Sequence, residues 1–147
     1  MILLLVFASM LAKESFLLVD DSGKTIYELG SQLEESMSPC STFKIPLSLM
    51  GYDTEILTDE HTPILTFQED YDDFLDAWKD LQSPTSWMQC SCVWYSKLLS
   101  CKLGLEIMQR YLTAFNYGNQ ELPSSLVMPG KEDPAWFPSS SLRISPR

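Results

Sequence analysis

Pro39-Cys40-Ser41-Thr42-Phe43-Lys44-Ile45-Pro46-Leu47-Ser48-Leu49-Met50-Gly51 is the stretch that decides the fold. Phe43, Ile45, Leu47, Leu49 and Met50 make it too apolar for a surface helix, so the pattern predicts a buried helix over 41–50 with Gly51 as its stop. Pro46 lacks an N–H and is tolerated only near a helix start, which puts the N-terminus at Ser41. Ser41 and Lys44 then lie one turn apart on the same face.

A serine hydroxyl is a poor nucleophile at neutral pH unless a neighbouring base takes its proton, and a helix N-terminus supplies amide dipoles for a developing oxyanion. Lys44 serves as that base only when its ammonium is destabilised. Its neighbours Phe43, Ile45 and Leu47 imply burial, which lowers an amine's pKa. A neutral amine in a dry pocket is also open to carbamylation by carbon dioxide. Taken alone, the Ser-x-x-Lys spacing is equally that of a helix cap and a surface lysine.

Working outward, the chain has 147 residues, 45% of them apolar and 20% charged, the profile of a single globular domain. Twenty acidic against ten basic residues give a net charge of −10, which excludes nucleic acid and anionic membrane surfaces as partners. The apolar run from Met1 to Ala12 falls short of the roughly 20 residues that span a bilayer, and is either a signal-peptide remnant or a first strand. Cys40, Cys90, Cys92 and Cys101 fit no familiar zinc spacing, so no metal is expected, and buried free thiols are the favoured state.

Ser15 to Val19 and Thr25 to Leu29 flank an Asp20-Asp21-Ser22-Gly23 turn, which predicts a hairpin. Tyr71, Phe74, Leu75 and Trp78 form a short amphipathic pattern among carboxylates most of which are expected to be solvated. Residues from Trp87 to Leu103 read as helical with an interruption at 90–92. Leu105, Met108, Leu112 and Phe115 mark a helix over 105–115, stopped by Asn116-Tyr117-Gly118-Asn119. Trp78, Trp87 and Trp94 are expected in the core.

Ser41-Thr42-Phe43-Lys44-Ile45-Pro46 resembles the nucleophile segment of class D (oxacillinase-type) β-lactamases. In the family's order, Ser91-Cys92-Val93 resembles its Ser-x-Val segment and Tyr117-Gly118-Asn119 its Tyr-Gly-Asn segment. Trp136, with Ser140 to Pro146, resembles its tryptophan-bearing loop and the helix start after it. The likeness covers residues 13–147. It implies an α+β fold, the incomplete fold of a serine β-lactamase or penicillin-binding transpeptidase, with the hairpin and most of the helical region present.

The resemblance further implies a periplasmic or secreted hydrolase of β-lactam antibiotics. Ser41 would be acylated, Lys44 would be the carbamylated general base, and Ser91 would relay a proton to the lactam nitrogen. Val93 would wall the base, and Trp136 would donate its indole N–H to the carbamate. Phe43, Tyr117, Gly118 and Asn119 would be scaffold near the site. No cofactor is implied beyond carbon dioxide held as the lysine carbamate.

No Lys-Thr-Gly or Lys-Ser-Gly occurs in the sequence, although the family's strand of that motif supplies a second cation and an oxyanion donor. The sequence therefore reads as the N-terminal portion of such a domain, expected to turn over weakly and to leave apolar surface open to self-association. A penicillin-binding or sensor module that acylates without turnover, and a non-enzymatic remnant, are the alternative readings.

Overall fold

The computed structural model describes residues 15–31, 33–126, 128–130 and 142–144. The apolar start over 1–12, together with Trp136, Ser140 and Ser145, lies outside them. The chain divides into two compact units, residues 1–36 with 145–147 and residues 37–144, each described here by itself.

The first unit contains an antiparallel hairpin of β1 (Phe16–Val19) and β2 (Thr25–Leu29), with Phe16 opposite Leu29 and Leu18 opposite Tyr27. The Asp20 carboxylate organises its turn, accepting from the Ser22 hydroxyl at 2.6 Å and from the Lys24 amide at 2.9 Å. These donors, the Ser22 hydroxyl first, hold the carboxyl below its usual range. Gly23 takes φ +81°, a conformation that β-branched or bulky residues avoid. The hairpin was legible because both strand-forming runs and the turn chemistry agree.

The second unit is helical. A 3-10 turn, Cys40–Phe43, leads into α1 (Lys44–Asp53), followed by a second 3-10 turn (Asp76–Lys79), α2 (Pro84–Cys90), α3 (Val93–Leu103) and α4 (Leu105–Ala114). Pro46 falls in the first turn of α1, where its missing N–H removes no intrahelical bond. Ser83 caps α2 through a reciprocal bond with Ser86, with Pro84 at the first helical position. The interruption predicted within 90–92 is a left-handed residue, Ser91 at φ 55°, which ends α2 two residues before α3 begins.

Phe43 and the α1 residues Leu47 and Met50 share the core with Trp87 of α2, Trp94, Tyr95 and Leu99 of α3, and Met108 and Leu112 of α4. Trp87 stacks on Tyr95 with ring centroids 5.1 Å apart. Each indole N–H in this core is satisfied: Trp87 donates to the Ser96 hydroxyl at 2.8 Å, Trp94 to the Trp78 carbonyl at 2.9 Å and Trp78 to the Cys90 carbonyl at 2.9 Å. The three tryptophans are buried, as the sequence predicts.

Two expectations are corrected, and a third meets an exception. Gly51 does not stop the first helix, which runs on to Asp53; it is there because a Cβ would come within 2.8 Å of Leu57. The pattern of Tyr71, Phe74, Leu75 and Trp78 does not build one buried face, since Phe74 is 85% exposed and only the 3-10 turn forms there. Aspartates at this density prefer to bond nearby backbone in turns. One of them, Asp72, is not solvated: its carboxylate pairs with the buried Lys97 of α3 at 3.1 Å. The cost of burying the Lys97 ammonium is offset by that partner.

Gly51→Ala should lower stability by about 1–2 kcal/mol, the overpacking against Leu57 exceeding the gain in helix propensity. Urea unfolding measures it, and an unchanged or higher midpoint would contradict the packing described.

Candidate active site

The second unit brings Ser41, Lys44 and Ser91 together. Ser41 sits in the 3-10 turn ahead of α1 with its side chain open to solvent, and Lys44 is the first residue of α1. The Lys44 amine donates to Ser41 Oγ at 3.3 Å, and the Ser91 hydroxyl donates to the same oxygen at 2.9 Å across 50 residues of chain. Two local features make this meeting possible. The turn from Cys40 to Phe43 tightens the chain so that Ser41 faces the next helical turn, and the left-handed Ser91 turns its hydroxyl out of the α2 end.

Lys44 is 2% exposed although it ends in a charge. Burial lowers its amine from 10.5 to about 8, partly offset by the nearby Cys92 and then Cys90 sulfurs. Cys92, fully buried, has its own thiol pushed up to about 12 by the same burial. The amine is therefore held away from water, with two thiols near enough to act on it electrostatically. No spacing in the sequence signals that the residue between Ser91 and Val93 packs beside Lys44. The four thiols are free as expected, but of them only Cys92 is buried: Cys90 and Cys101 are half-buried, and Cys40 is exposed at the rim of the turn, with φ 45° and its sulfur 3.7 Å from the Ser38 hydroxyl.

Val93 opens α3 and packs, half-buried, against the core. Phe43 is fully buried and meets Tyr117 edge to face at 5.7 Å. The Tyr117 phenol is raised by burial and partly restored by a hydrogen bond with Thr42, the neighbour of Ser41. Gly118 has φ +56°, and a Cβ on it would stand 2.1 Å from the Arg143 carbonyl oxygen. The Asn119 amide donates to that carbonyl at 2.9 Å, while the Arg143 amide donates to Asn119 Oδ1 at 2.9 Å. Ile144 in turn exchanges two backbone bonds of 2.8 Å with Met37, four residues before Ser41. Sequence reasoning missed this tie between the lead into Ser41 and residues 142–144. Trp136 lies outside the described residues.

An anionic adduct on Lys44 requires a neutral amine and hydrogen-bond donors. The lowered amine and the Ser41 and Ser91 hydroxyls fit the first need and part of the second. Among the described residues, no group of three or more metal-ligating side chains gathers anywhere.

The sequence matches the penicillin-binding protein transpeptidase domain over residues 13–146. It is 34% identical to β-lactamase OXA-9 from Klebsiella pneumoniae over 127 residues, 86% of this chain and 46% of that protein. It is 40% identical to β-lactamase OXA-1 from Escherichia coli over 111 residues, 75% of this chain and 38% of that protein. The crystal structure of OXA-427, a class D β-lactamase, superposes with a TM-score of 0.76 at 45% identity, covering 88% of this chain and 53% of that one. The chain thus spans about half the length of the relatives it matches, or less.

The depressed amine has a consequence for stability. Between about 8 and 10.5 the unfolded chain binds more protons at this lysine than the folded chain does, so stability rises with pH across that window and the penalty is complete below it. Lys44→Met should therefore stabilise the protein by on the order of 2 kcal/mol at neutral pH in carbon dioxide-free buffer. The advantage should shrink as the pH passes through the window. Thermal unfolding of both proteins over a pH series checks it, and a pH-independent difference would contradict the burial.

Proposed function

The chain belongs to the penicillin-binding protein transpeptidase domain family, among the class D β-lactamases, and from that premise we propose that it opens β-lactam rings by acylation at Ser41. The observation that carries this reading is the chain of contacts from Ser91 through Ser41 to Lys44, at 2.9 and 3.3 Å, ending on an amine lowered to about 8.

In this reading Ser41 Oγ attacks the lactam carbonyl carbon while its proton passes to the neutral Lys44 amine. The amide at the start of the 3-10 turn steadies the oxyanion. As the carbon–nitrogen bond breaks, Ser91 hands its proton to the lactam nitrogen and regains one from Lys44. Water then releases the acyl group from Ser41. Lys44 is proposed to hold carbon dioxide as a carbamate, which would supply a carboxylate-like base at the same place. The buried, depressed amine supports this, because only the neutral form reacts. Val93 is proposed to keep that base dry, and Trp136 to donate to it. Turnover is proposed to be slow, since Ser41 is open to solvent and oxyanion stabilisation weakens in water. A periplasmic or secreted site of action completes the proposal; among the described residues no helix is long and apolar enough to cross a membrane.

Labelling with a fluorescent penicillin, read by gel and intact mass, tests the proposal. One label per chain is expected, absent in Ser41→Ala, slowed about 10²–10⁴-fold in Lys44→Met and slowed more mildly in Ser91→Ala. For the uncarbamylated amine the labelling rate should climb roughly tenfold from pH 7 to pH 9 as Lys44 loses its proton. Added bicarbonate should speed loss of the label. A label that persists without turnover would favour a penicillin-binding module instead, and equal labelling of Ser41→Ala would end the catalytic reading.

A further inference from the structure

Ser91 presents its hydroxyl to Ser41 from a left-handed backbone, φ 55° and ψ 41°, which a residue with a Cβ adopts only at a cost. The surroundings must hold it there. The peptide groups on either side of Ser91 are planar units, so fixing their polar atoms fixes the two dihedral angles between them. The Ser91 N–H donates to the Trp87 carbonyl, and the Cys92 N–H donates to the same oxygen at 3.0 Å. The other polar atom of the peptide ahead of Ser91 is the Cys90 carbonyl oxygen, which ends α2 with no further helical turn to satisfy it. Its donor is the Trp78 indole N–H, at 2.9 Å.

That donor is itself held in place. Trp78 is 6% exposed within the 3-10 turn, and its own carbonyl accepts from the Trp94 indole at 2.9 Å. Gln82 donates to the Ala77 carbonyl of the same turn at 2.7 Å and accepts from the Cys90 thiol at 3.4 Å. Upstream, Asp72 is anchored on the buried Lys97 of α3. An apolar ring of the same shape would fill the space of Trp78 but leave the Cys90 oxygen without this donor. The peptide would then turn toward another donor and carry Ser91 with it.

We propose that Trp78 is a positioning residue for Ser91: its indole N–H holds the Cys90 carbonyl, and through that peptide keeps Ser91 left-handed with its hydroxyl on Ser41. The positioning stands on the hydrogen bonds around Ser91; only its effect on rate rests on the acylation proposed above.

The test replaces Trp78 with β-(3-benzothienyl)alanine, which keeps the ring shape and puts sulfur where the N–H was. Labelling by a fluorescent penicillin should slow to within about twofold of the rate of Ser91→Ala, and the replacement made in the Ser91→Ala protein should slow it no further. A tryptophan that merely fills the core would slow both backgrounds by the same factor. A second measurement needs no β-lactam. In protein carrying ¹³C-labelled serine, with Ser91→Ala to assign the signal, the Ser91 Cα and Cβ resonances should move on replacement while those of Ser48 in α1 stay in place. Trp78→Phe loses the same N–H and provides a second variant with the same expected outcomes. Equal slowing in the two backgrounds, labelling unchanged by the replacement, or an unmoved Ser91 signal would each overturn the proposal. A parent chain that takes no label counts against acylation at Ser41, and the serine spectra then decide the positioning by themselves.

Discussion

The constraint on which the proposed site depends is the burial of one amine. Lys44 reaches inward from the first turn of α1 with 2% of its surface exposed, and its nitrogen lies 3.3 Å from the Ser41 oxygen. In water the same amine would hold its proton and offer nothing to a serine. Burial lowers it to about 8, which on the proposed reading fits it to act as a base toward Ser41. The ammonium penalty falls on the folded state.

The rest of the second unit keeps that amine dry and its partners in place. Trp87, Trp94 and Tyr95 pack α2 and α3 into one body, and their polar atoms are tied to Ser96, Trp78 and Pro63. The break between the two helices falls on Ser91, so the rigidity of both flanks fixes the hydroxyl that meets Ser41. On the other side, the Tyr117 ring supports Phe43, and the turn of Gly118 and Asn119 clasps Arg143. Side chains hold a fixed mutual geometry only where the packing around them is rigid.

Much of this was legible in the sequence where local chemistry and pattern agreed. The hairpin and the helix from Leu105 each had turn residues and an apolar pattern pointing the same way. The pairing of Ser41 with Lys44 followed from helical spacing, and the arrival of Ser91 from the family resemblance. What could not be read was set by contacts distant in sequence. Gly51 looks like a helix stop until Leu57 is seen to press on it, and Asp72 looks like one more solvated acid until Lys97 reaches it. Phe74 fits an amphipathic period yet lies in solvent, because the aspartates around it favour turns over a helix. Nor does any spacing announce that Cys92 lies beside the amine or that Met37 pairs with Ile144.

The most direct measurement is the titration of Lys44 itself, followed through its Cε resonance in protein carrying ¹³C-labelled lysine under carbon dioxide-free conditions, with Lys44→Met to assign the signal. An inflection near 8 is predicted, together with a new carbamate signal once labelled bicarbonate is added. An inflection at the ordinary lysine value near 10.5 would contradict the account, because Ser41 would then have no base beside it.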